Sequence, residues 1–472
     1  MPQRRTHVSS SASRTELAAA LAALRAEVDA PLEFPQEVLD EAGSAHAASA
    51  DRDLRDVPFA TLDPAGARDL DQAFHLARRG DGYTVHYAIA DVPGFVHPGG
   101  AVDAEARRRG QTLYAADGTI PLHPPVLSED RVSLLPGVDR TALVWSFDLD
   151  AAGAVVDTRL ERALIRSRAQ LDYVTTQAAI ERGDAGFAEL LPEIGRLRLA
   201  QERERGGASL NLPDEEIVRS EDGAYAIERR HPLPVEDWNA QLSLMTGIAA
   251  AEMMLGAGVG ILRTMPEPDE AAFEAFRTQT RVLGRPWEAG RYGEYLAGLD
   301  RSDPLTLPVL QAAAALFRGA GYVAFDGTAP TETRQAAIAA PYAHVTAPLR
   351  RLVDRWGLAI CLAVAEGRPA PEWARESLDE LPALMQASGQ RASRLDTATV
   401  NAVEAALLQP LVGRELSATV IARRGEDRAT VQLSDPPVTA TAPVAPDARV
   451  GDTVVLRLES TDISRGEVVF SI

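Results

Sequence analysis

The sequence predicts an α+β protein: a mixed or antiparallel sheet with helices, a small helical module before it, and a small β-barrel of the OB type after it. Three observations lead to this prediction. From residue 57 to residue 162, short apolar segments are separated by turns that contain Gly and Asp, which is the pattern of strands. The middle of the chain has apolar residues at helical spacing, and the last sixty residues return to short strands. We place the domain boundaries at 1–55, 56–402 and 413–472.

The first module is predicted to contain two helices and a linker. Residues 14–28 are rich in Ala and Leu at helical spacing, and a second short helix is expected after Pro35, which suits the start of a helix. The Ala, Ser and Asp stretch 44–56 is typical of a linker. The predicted strands of the central domain cover 59–63, 73–77, 83–92, 143–149 and 154–162.

The rest of the chain divides into a helical middle and the final barrel. The predicted helices cover 190–205, 239–256, 270–283 and 307–318. Five short strands separated by polar turns then indicate a small closed barrel, with strands over 416–423, 429–433, 438–442, 453–459 and 467–472. Four arginines of this barrel are either phosphate contacts or ordinary surface residues, namely Arg423, Arg424, Arg428 and Arg457.

The composition excludes several classes of protein. The chain has 472 residues and a formal net charge of −20, and all 48 basic residues are arginine. This acidic balance argues against nucleic-acid binding over the whole surface, but it allows positive charge confined to one channel. The apolar runs are far shorter than the ~20 residues of a membrane span, and no apolar segment follows the N-terminal arginines. We therefore expect a cytoplasmic protein without membrane contact, and we expect the single cysteine, Cys361, to be a core residue.

Three aspartates lie within nine residues at the start of the predicted sheet. Asp63 ends a strand, and Asp69 and Asp71 flank the return of the loop into the next strand. Residues two apart in an extended chain point the same way, so these like charges need a cation to neutralise them. Oxygen ligands of this kind suit magnesium, and two such ions can activate water and stabilise a leaving oxygen. The alternative is a solvated acidic loop. An EF-hand loop is excluded because Phe74 and Gly80 occupy the positions of its glycine and its closing acid.

A second segment breaks two rules of helix stability. Pro348 suits the first position of a helix, which would put Ala347 at the cap and Arg350 and Arg351 in the first turn. Alanine is a poor cap, and arginine near a helix N-terminus opposes the helix dipole. The free N–H groups of such a terminus, together with two guanidinium groups, predict a phosphate site. The alternative is that the arginines pair with acids such as Asp354.

The two segments together resemble the ribonuclease II/ribonuclease R (RNB) family of exoribonucleases. The family's acidic signature is matched by Asp63, Asp69 and Asp71, and its Thr-Ser-Pro-Ile-Arg-Arg-like segment is matched by residues 346–351. The likeness covers roughly residues 34–400, and the C-terminal barrel is similar to the ribosomal protein S1 type of OB domain. Further matching segments, in the family's order and approximate spacing, are 89–92, 102–106, 112–114, 120–128, 133–137 and 165–167.

The resemblance implies hydrolytic, processive 3′→5′ degradation of single-stranded RNA to nucleoside 5′-monophosphates by two-metal catalysis with magnesium, or alternatively manganese. It also implies that Asp71 and Arg350 carry the chemistry, that Tyr114 stacks on the terminal nucleotide, and that His344 and Arg351 contact RNA. We expect a short bacterial member without N-terminal cold-shock domains that acts as a monomer. The metal ligands implied by the resemblance are Asp63, Asp69, Asp71 and Gln72.

Several positions depart from the family pattern. Gln72 stands where a fourth aspartate is common, Ala347 replaces a serine, and Asn239 and Ala240 replace two glutamates. Arg334 begins a segment that replaces a His-Phe-Gly stretch. These departures keep open the alternative of a catalytically impaired member that binds RNA in a regulatory role. A third interpretation, an acidic helical scaffold without a nucleic-acid role, predicts no salt-dependent RNA binding.

Overall fold

The centre of the molecule is a ring of five strands, called here the central ring. The computed structural model describes residues 6–7, 11–28, 31–116, 118–207, 214–219, 225–300, 306–436 and 438–472. The strands of the central ring are Phe59–Asp63, Gln72–Arg79, Gly82–Ala90, Asp139–Leu149 and Val155–Asp172. Each strand pairs with the next, and the last also pairs with the first, so the pairings close on themselves.

The pairing directions confirm the predicted mixed sheet. Phe59–Asp63 and Val155–Asp172 run parallel, whereas the other neighbours in the ring run antiparallel. All five predicted strands are present. Val155–Asp172 extends well beyond the predicted 154–162, because its second half pairs with Phe59–Asp63 after its first half has paired with Asp139–Leu149.

The two faces of the central ring are packed differently. On one face, large side chains such as Tyr87 are buried together with the helices Pro234–Ala257 and Leu352–Ala365. The other face carries small side chains such as Ala88 in a second apolar cluster. The helix-covered face brings Tyr87 and the two helices next to the strand end at Asp63, where the candidate site lies.

Cys361 confirms the prediction of a core cysteine. It lies in the helix Leu352–Ala365 and is fully buried. Its Sγ lies 3.7 Å from the carbonyl oxygen of Ala250 in the neighbouring helix. Burial raises the pKa of the thiol, so Cys361 is an inert packing residue.

Helices make up most of the remaining described chain. The predicted helices are present as Ser11–Glu27, Gln36–Ser44, Leu191–Arg205, Pro234–Ala257, Glu270–Val282 and Thr306–Ala314. The other helices and helical turns are Val92–Phe95, Ala101–Arg109, Leu127–Arg131, Tyr173–Arg182, Gly186–Ala188, Tyr292–Ala297, Leu352–Ala365, Glu372–Glu376, Leu378–Glu380, Leu381–Leu408 and Gln409–Leu411. No helix in the described part of the chain is both long and apolar enough to cross a bilayer.

Short strands complete the structure outside the ring and the barrel. They are Thr6–His7, Arg52–Asp53, Leu113–Ala115, Gly118–Ile120, Asp214–Arg219, Tyr225–Arg230, Val259–Thr264, Gly321–Asp326, Arg334–Gln335 and Ala340–Pro341.

The helix Leu381–Leu408, called here the long helix, connects three parts of the molecule. The N-terminal helix Ser11–Glu27 packs on it through Leu17, which shares an apolar cluster with Ala402 and Ala406. Its last residue, Leu408, is buried in the core of the C-terminal domain. The long helix therefore links the N-terminal helix to the C-terminal domain.

The C-terminal domain, called here the terminal barrel, confirms the predicted OB-type fold. Its strands are Glu415–Arg423, Arg428–Leu433, Thr439–Pro443, Thr453–Asp462 and Glu467–Ser471. They form one antiparallel sheet. The edge strands Thr439–Pro443 and Glu467–Ser471 approach each other, which makes the barrel nearly closed.

Candidate active site

The three predicted aspartates lie on one loop between two strands of the central ring. Asp63 is the last residue of its strand, and Gln72 begins the next one. The loop between them, called here the acid loop (residues 63–71), is held from outside. The Leu70 N–H donates to Ser133 Oγ at 3.0 Å, and the Ala90 N–H donates to the Asp71 carbonyl at 2.9 Å. These bonds fix the backbone that carries the acids.

Asp63 and Asp69 form a pair of poorly compensated carboxylates. Oδ2 of Asp63 is buried and has no hydrogen-bond partner among the residues that the structure describes. Burial and the neighbouring charge of Asp69 raise the pKa of Asp63 to about 7, against the attraction of Arg350. Burial also raises the pKa of Asp69. Such an arrangement costs stability unless a cation offsets it.

Asp71 connects the acid loop to the predicted arginine segment. Its side chain is 3% exposed and accepts a hydrogen bond from the Leu349 N–H at 2.8 Å. The guanidinium Nε of Arg350 lies 3.8 Å from the other carboxylate oxygen. Burial raises the pKa of Asp71 well above its usual range even though Arg350 and Leu349 oppose the shift. The structure thus brings together two segments that lie far apart in the sequence.

The predicted helix start at Pro348 is wrong. The helix begins at Leu352, and residues 347–351 form a turn, called here the arginine turn, with Arg351 in the cap position. The physical reason is Asp354, which reaches back to accept the Ala347 N–H at 2.7 Å. The N–H groups of Arg350 and Arg351 bond to the Ala347 carbonyl. These N–H groups are therefore used internally, and the predicted cradle of free helix N–H groups is not formed.

The two arginines of the turn have different environments. The Arg351 guanidinium donates two hydrogen bonds to Asp354, at 3.0 and 2.9 Å, which is the alternative that the sequence left open. Asp354 is fully buried, and its charge raises the pKa of Arg351 despite burial. The Arg350 side chain is 45% exposed and makes only the long contact with Asp71. Arg350 is therefore the arginine that can meet a phosphate.

Gln72 links the acid loop to the residues that precede the arginine turn. Its amide nitrogen donates to the carbonyl oxygen of Thr346, and the Thr346 hydroxyl lies 2.7 Å from Ser243 Oγ. The contact engages the nitrogen of Gln72, whereas a metal would need the amide oxygen. The role of Gln72 as a metal ligand stays a prediction.

Tyr114 lies on a hairpin that reaches the acid loop. The strands Leu113–Ala115 and Gly118–Ile120, called here the tyrosine hairpin, place Tyr114 56% exposed at the site. Partial burial and the nearby charge of Asp69 raise the pKa of Tyr114 to about 12, against the attraction of Arg350. An exposed aromatic ring beside the acids and Arg350 is a suitable platform for a nucleobase.

His344 is held among aromatic rings behind the arginine turn. Its Nδ1 lies 2.7 Å from the hydroxyl of Tyr322, and its ring packs edge-on against Tyr322 and Tyr342. Burial, and after it the charges of Arg351 and Arg263, hold the pKa of His344 well below its usual range. His344 is therefore neutral at physiological pH.

Two tyrosines near Asp63 were missed at the sequence level. Tyr173 is hydrogen-bonded to Asn239, and burial together with the charge of Asp63 raises its pKa to about 12. The hydroxyl of Tyr87 is buried without a partner, and its pKa is raised first by burial and then by Asp63. Asn239 was recognised only as a departure from the family pattern, and it also donates to the Leu62 carbonyl at 3.4 Å.

The residues present fit a divalent cation that takes part of its coordination from elsewhere. In the described ranges, no three carboxylate, histidine or cysteine side chains form a ready-made metal group. Magnesium usually keeps water and binds substrate phosphate, so it does not need a complete protein cage. The unpartnered Oδ2 of Asp63, beside Asp69, is a donor of the required kind.

Comparisons with known proteins find two domain families and several relatives that match the chain. A model of the RNB domain matches residues 51–357, and a model of the RNase II-type exonuclease C-terminal S1 domain matches residues 414–472. Ribonuclease R of Escherichia coli (strain K12) is 30% identical over 323 residues, which are 64% of this chain and 39% of that protein. The exosome complex exonuclease RRP44 homolog A of Arabidopsis thaliana is 28% identical over 323 residues, 64% of this chain and 34% of that protein. The chain spans less than half of the length of these two relatives.

Solved structures share the fold. The apo form of Mycoplasma genitalium RNase R superposes with a TM-score of 0.86 at 16% identity, over 97% of this chain and 78% of that one. Yeast Ssd1, a pseudonuclease, superposes with a TM-score of 0.69 at 16% identity, over 92% of this chain and 56% of that one. At such identities the likeness concerns the fold alone.

Proposed function

The chain belongs to the RNB family, and from this premise we propose that it is a metal-dependent exoribonuclease. It would degrade single-stranded RNA hydrolytically and processively from the 3′ end to nucleoside 5′-monophosphates. The catalytic domain would comprise residues 56–402, and the terminal barrel, 413–472, would bind RNA. We expect the protein to act as a monomer in the cytoplasm.

The observation that carries this proposal is the meeting of Asp71 and Arg350. A buried carboxylate and a half-exposed guanidinium lie 3.8 Å apart, next to the unsatisfied oxygen of Asp63. A phosphodiester carries a negative charge. Its oxygens therefore need a cation on one side and a guanidinium on the other. The carboxylates would hold the cation, and Arg350 supplies the guanidinium.

Each side chain has a defined task in this proposal. Arg350 binds the scissile phosphate and stabilises the charge that develops on it. Tyr114 stacks on the terminal base. His344 and Arg351 would also contact the RNA through the part of their surface that is exposed.

The metal site would be formed by the acid loop and the residue that follows it. When bound, magnesium or manganese supplies an activated water and stabilises the leaving oxygen. The residues that would hold it are Asp63, Asp69, Asp71 and Gln72.

The test is product analysis with uniformly labelled single-stranded RNA and magnesium. We expect mononucleotides from the unaltered protein and a loss of at least ~10³-fold in turnover for Asp71→Asn, because the substitution removes the charge and keeps the size. Asp81→Asn is the matched control, because Asp81 lies exposed in the turn between two strands of the central ring. The control should cleave like the unaltered protein.

The alternative is a catalytically impaired member that binds RNA in a regulatory role. Gln72 favours it, because this residue stands where the family commonly has a fourth aspartate and it carries no charge. This alternative predicts tight RNA binding without mononucleotides at any magnesium or manganese concentration. A scaffold without a nucleic-acid role would show no salt-dependent binding at all.

A further inference from the structure

The tyrosine hairpin is too small to set the position of Tyr114 by itself. Leu113 pairs with Ile120, and Tyr114 pairs with Thr119. Because alternate residues of a strand point to opposite faces, Leu113 is 1% exposed while Tyr114 is 56% exposed. A two-stranded ribbon is marginally stable alone, so the groups under Leu113 and Ile120 determine where Tyr114 lies.

The buried face of the tyrosine hairpin rests on two helices. Leu113 and Ile120 form one apolar cluster with Val28, directly after the N-terminal helix, and with Leu395 of the long helix. Leu24 belongs both to this cluster and to the cluster that joins the N-terminal helix to the long helix. Val28 is 8% exposed, so its contact with the hairpin is largely shielded from solvent. The end of the N-terminal helix therefore forms part of the support of the hairpin.

The N-terminal helix also approaches the hairpin at Gly118, the first residue of its second strand. A Cβ atom at Gly118 would lie 3.3 Å from Nη1 of Arg25, closer than an ordinary van der Waals contact. The helix thus approaches the hairpin at Gly118 as well as beneath Leu113. Two separate contacts therefore fix the position of the hairpin relative to the N-terminal helix.

The base of the hairpin is joined to the arginine turn. The Thr112 N–H donates to the Arg350 carbonyl at 3.0 Å, and Gln111 forms an isolated antiparallel bridge with Arg351. The backbone that carries Tyr114 is therefore bonded to the backbone that carries Arg350. A shift of the hairpin pivots about this base and moves Tyr114 relative to Arg350.

We propose that the N-terminal helix is a positioning element for the RNA terminus, acting through Val28. The contact of Val28 with Leu113 and Ile120 holds Tyr114 against the acid loop, where it can stack on the last nucleotide. This inference rests on the proposed function, which gives Tyr114 that stacking role. Val28 itself touches neither substrate nor reacting atoms, so it is a positioning residue.

The test measures stacking separately from cleavage. In the Asp71→Asn background, RNA with 2-aminopurine at its 3′ end reports stacking through fluorescence quenching. Tyr114→Ala should abolish the quenching caused by the protein, and Val28→Ala should reduce it at least ~twofold. The affinity, read from a distant 5′ label, should change less than ~threefold for Val28→Ala, because the rest of the RNA path is intact. Val28→Ile, which keeps a β-branched apolar side chain against the hairpin, should retain the quenching.

Leu17→Ala is the matched control in the same helix. Leu17 is fully buried, but it packs towards Ala402 and Ala406 and is not part of the hairpin cluster. It should lower the thermal midpoint at least as much as Val28→Ala and leave the quenching unchanged. With unmutated Asp71 and magnesium, Val28→Ala should lengthen the final oligonucleotide in the same direction as Tyr114→Ala, and Leu17→Ala should not.

Two outcomes overturn the inference. If Val28→Ala quenched the fluorescence as strongly as the Asp71→Asn protein without that change, the helix would not position the hairpin. Unchanged quenching by Tyr114→Ala would remove the stacking role, and the inference would fall with it. Failure of the nuclease proposal is distinguishable, because absence of mononucleotides from the unaltered protein leaves the quenching comparison fully informative.

Discussion

The central ring and the terminal barrel are each built from five strands, yet they treat charged groups in opposite ways. At the rim of the central ring, Asp63 has a buried oxygen without a partner, and Arg350 is half exposed with one long ionic contact. In the terminal barrel, Arg423 donates to the backbone carbonyls of Ala445 and Ala448. Unsatisfied buried charge costs stability, and it marks the place where a ligand completes the structure.

Two other arginines of the terminal barrel also have contacts within it. Arg424 donates to the Thr430 hydroxyl at 3.0 Å, and Arg457 lies 3.7 Å from Glu459. The sequence left phosphate contact and simple surface placement open for these residues. These contacts favour ordinary surface placement for Arg423 and Arg424. The Arg457 side chain is 54% exposed, which leaves phosphate contact open for it.

The largest effect is expected from Arg350 at the central ring. Arg350→Ala should lower kcat by about 10²–10³-fold, because the guanidinium acts on charge that develops at one phosphate. RNA affinity should change less than ~threefold, since the other contacts persist. Single-turnover cleavage and a separate binding titration measure the two quantities. Equal losses in both would assign Arg350 to ordinary substrate binding.

The neighbouring arginine should show the opposite result. Arg351→Ala should lower the free energy of unfolding by about 3–5 kcal/mol, because it leaves the buried Asp354 without its partner. Denaturant unfolding measures this change. Arg465→Ala, which removes an exposed pair with Glu467, should cost less than ~1 kcal/mol and serves as the control. Similar losses for both variants would contradict the structural role of Arg351.

A smaller effect should follow from the raised pKa of Asp63, which is caused first by burial and then by the charge of Asp69. With the folded pKa raised to about 7 and an unfolded value of about 3.9, the folded state keeps a proton that the unfolded chain releases. The stability contribution of this group therefore falls as the pH rises from ~4 to ~7 and stays low above that range.

Asp63→Asn removes this penalty and allows a direct measurement. In chelator at pH 8, the variant should melt a few degrees above the unaltered protein. Magnesium should raise the Tm of the unaltered protein and not that of the variant, because binding to the folded state alone stabilises it. Asp81→Asn should match the unaltered protein in both conditions. A lower Tm for Asp63→Asn in chelator would contradict the raised pKa of Asp63.

The smallest effect is expected at the terminal barrel. Arg428 donates only to the Thr441 carbonyl, at 3.3 Å, on the barrel surface. Arg428→Ala should change RNA affinity less than ~twofold and leave the salt dependence of binding unaltered. A reduction of the salt slope by about one would instead identify a phosphate contact and weaken the contrast between the two regions.

Most strands of the central ring and of the terminal barrel could be predicted from the sequence, because the residue patterns that indicate them are local. Alternating apolar residues bounded by turns such as Gly80 to Gly82 define a strand without reference to the rest of the chain. The extension of Val155–Asp172 was not predictable in this way, because its last part is a strand only through pairing with Phe59–Asp63.

The arginine turn shows where local reasoning failed. Pro348 and the residues after it satisfy the rules for a helix start, but two carboxylates compete for the N–H groups there. Asp354 takes that of Ala347, and Asp71, from the acid loop, takes that of Leu349. The first contact joins residues that are close in the sequence, so it could have been predicted from the sequence. The second depends on the fold and could not.

The residues around Asp63 illustrate a further limit. Tyr87 fits the pattern of a strand residue buried in the core, and nothing in its neighbours distinguishes it from Trp145 or Phe147. Its importance follows only from its distance to a carboxylate on another strand. Residues whose role is electrostatic need the structure for their identification.

The hydrogen bond between Asp71 and Leu349 joins residues that are 278 positions apart. During synthesis, the ribosome must pass Arg350 before the acid loop can acquire its counterpart. Until then, a nascent chain carries the aspartates but lacks the guanidinium of Arg350 that lies beside Asp71. The order of the segments along the chain thus delays assembly of the candidate site until both segments have been synthesised.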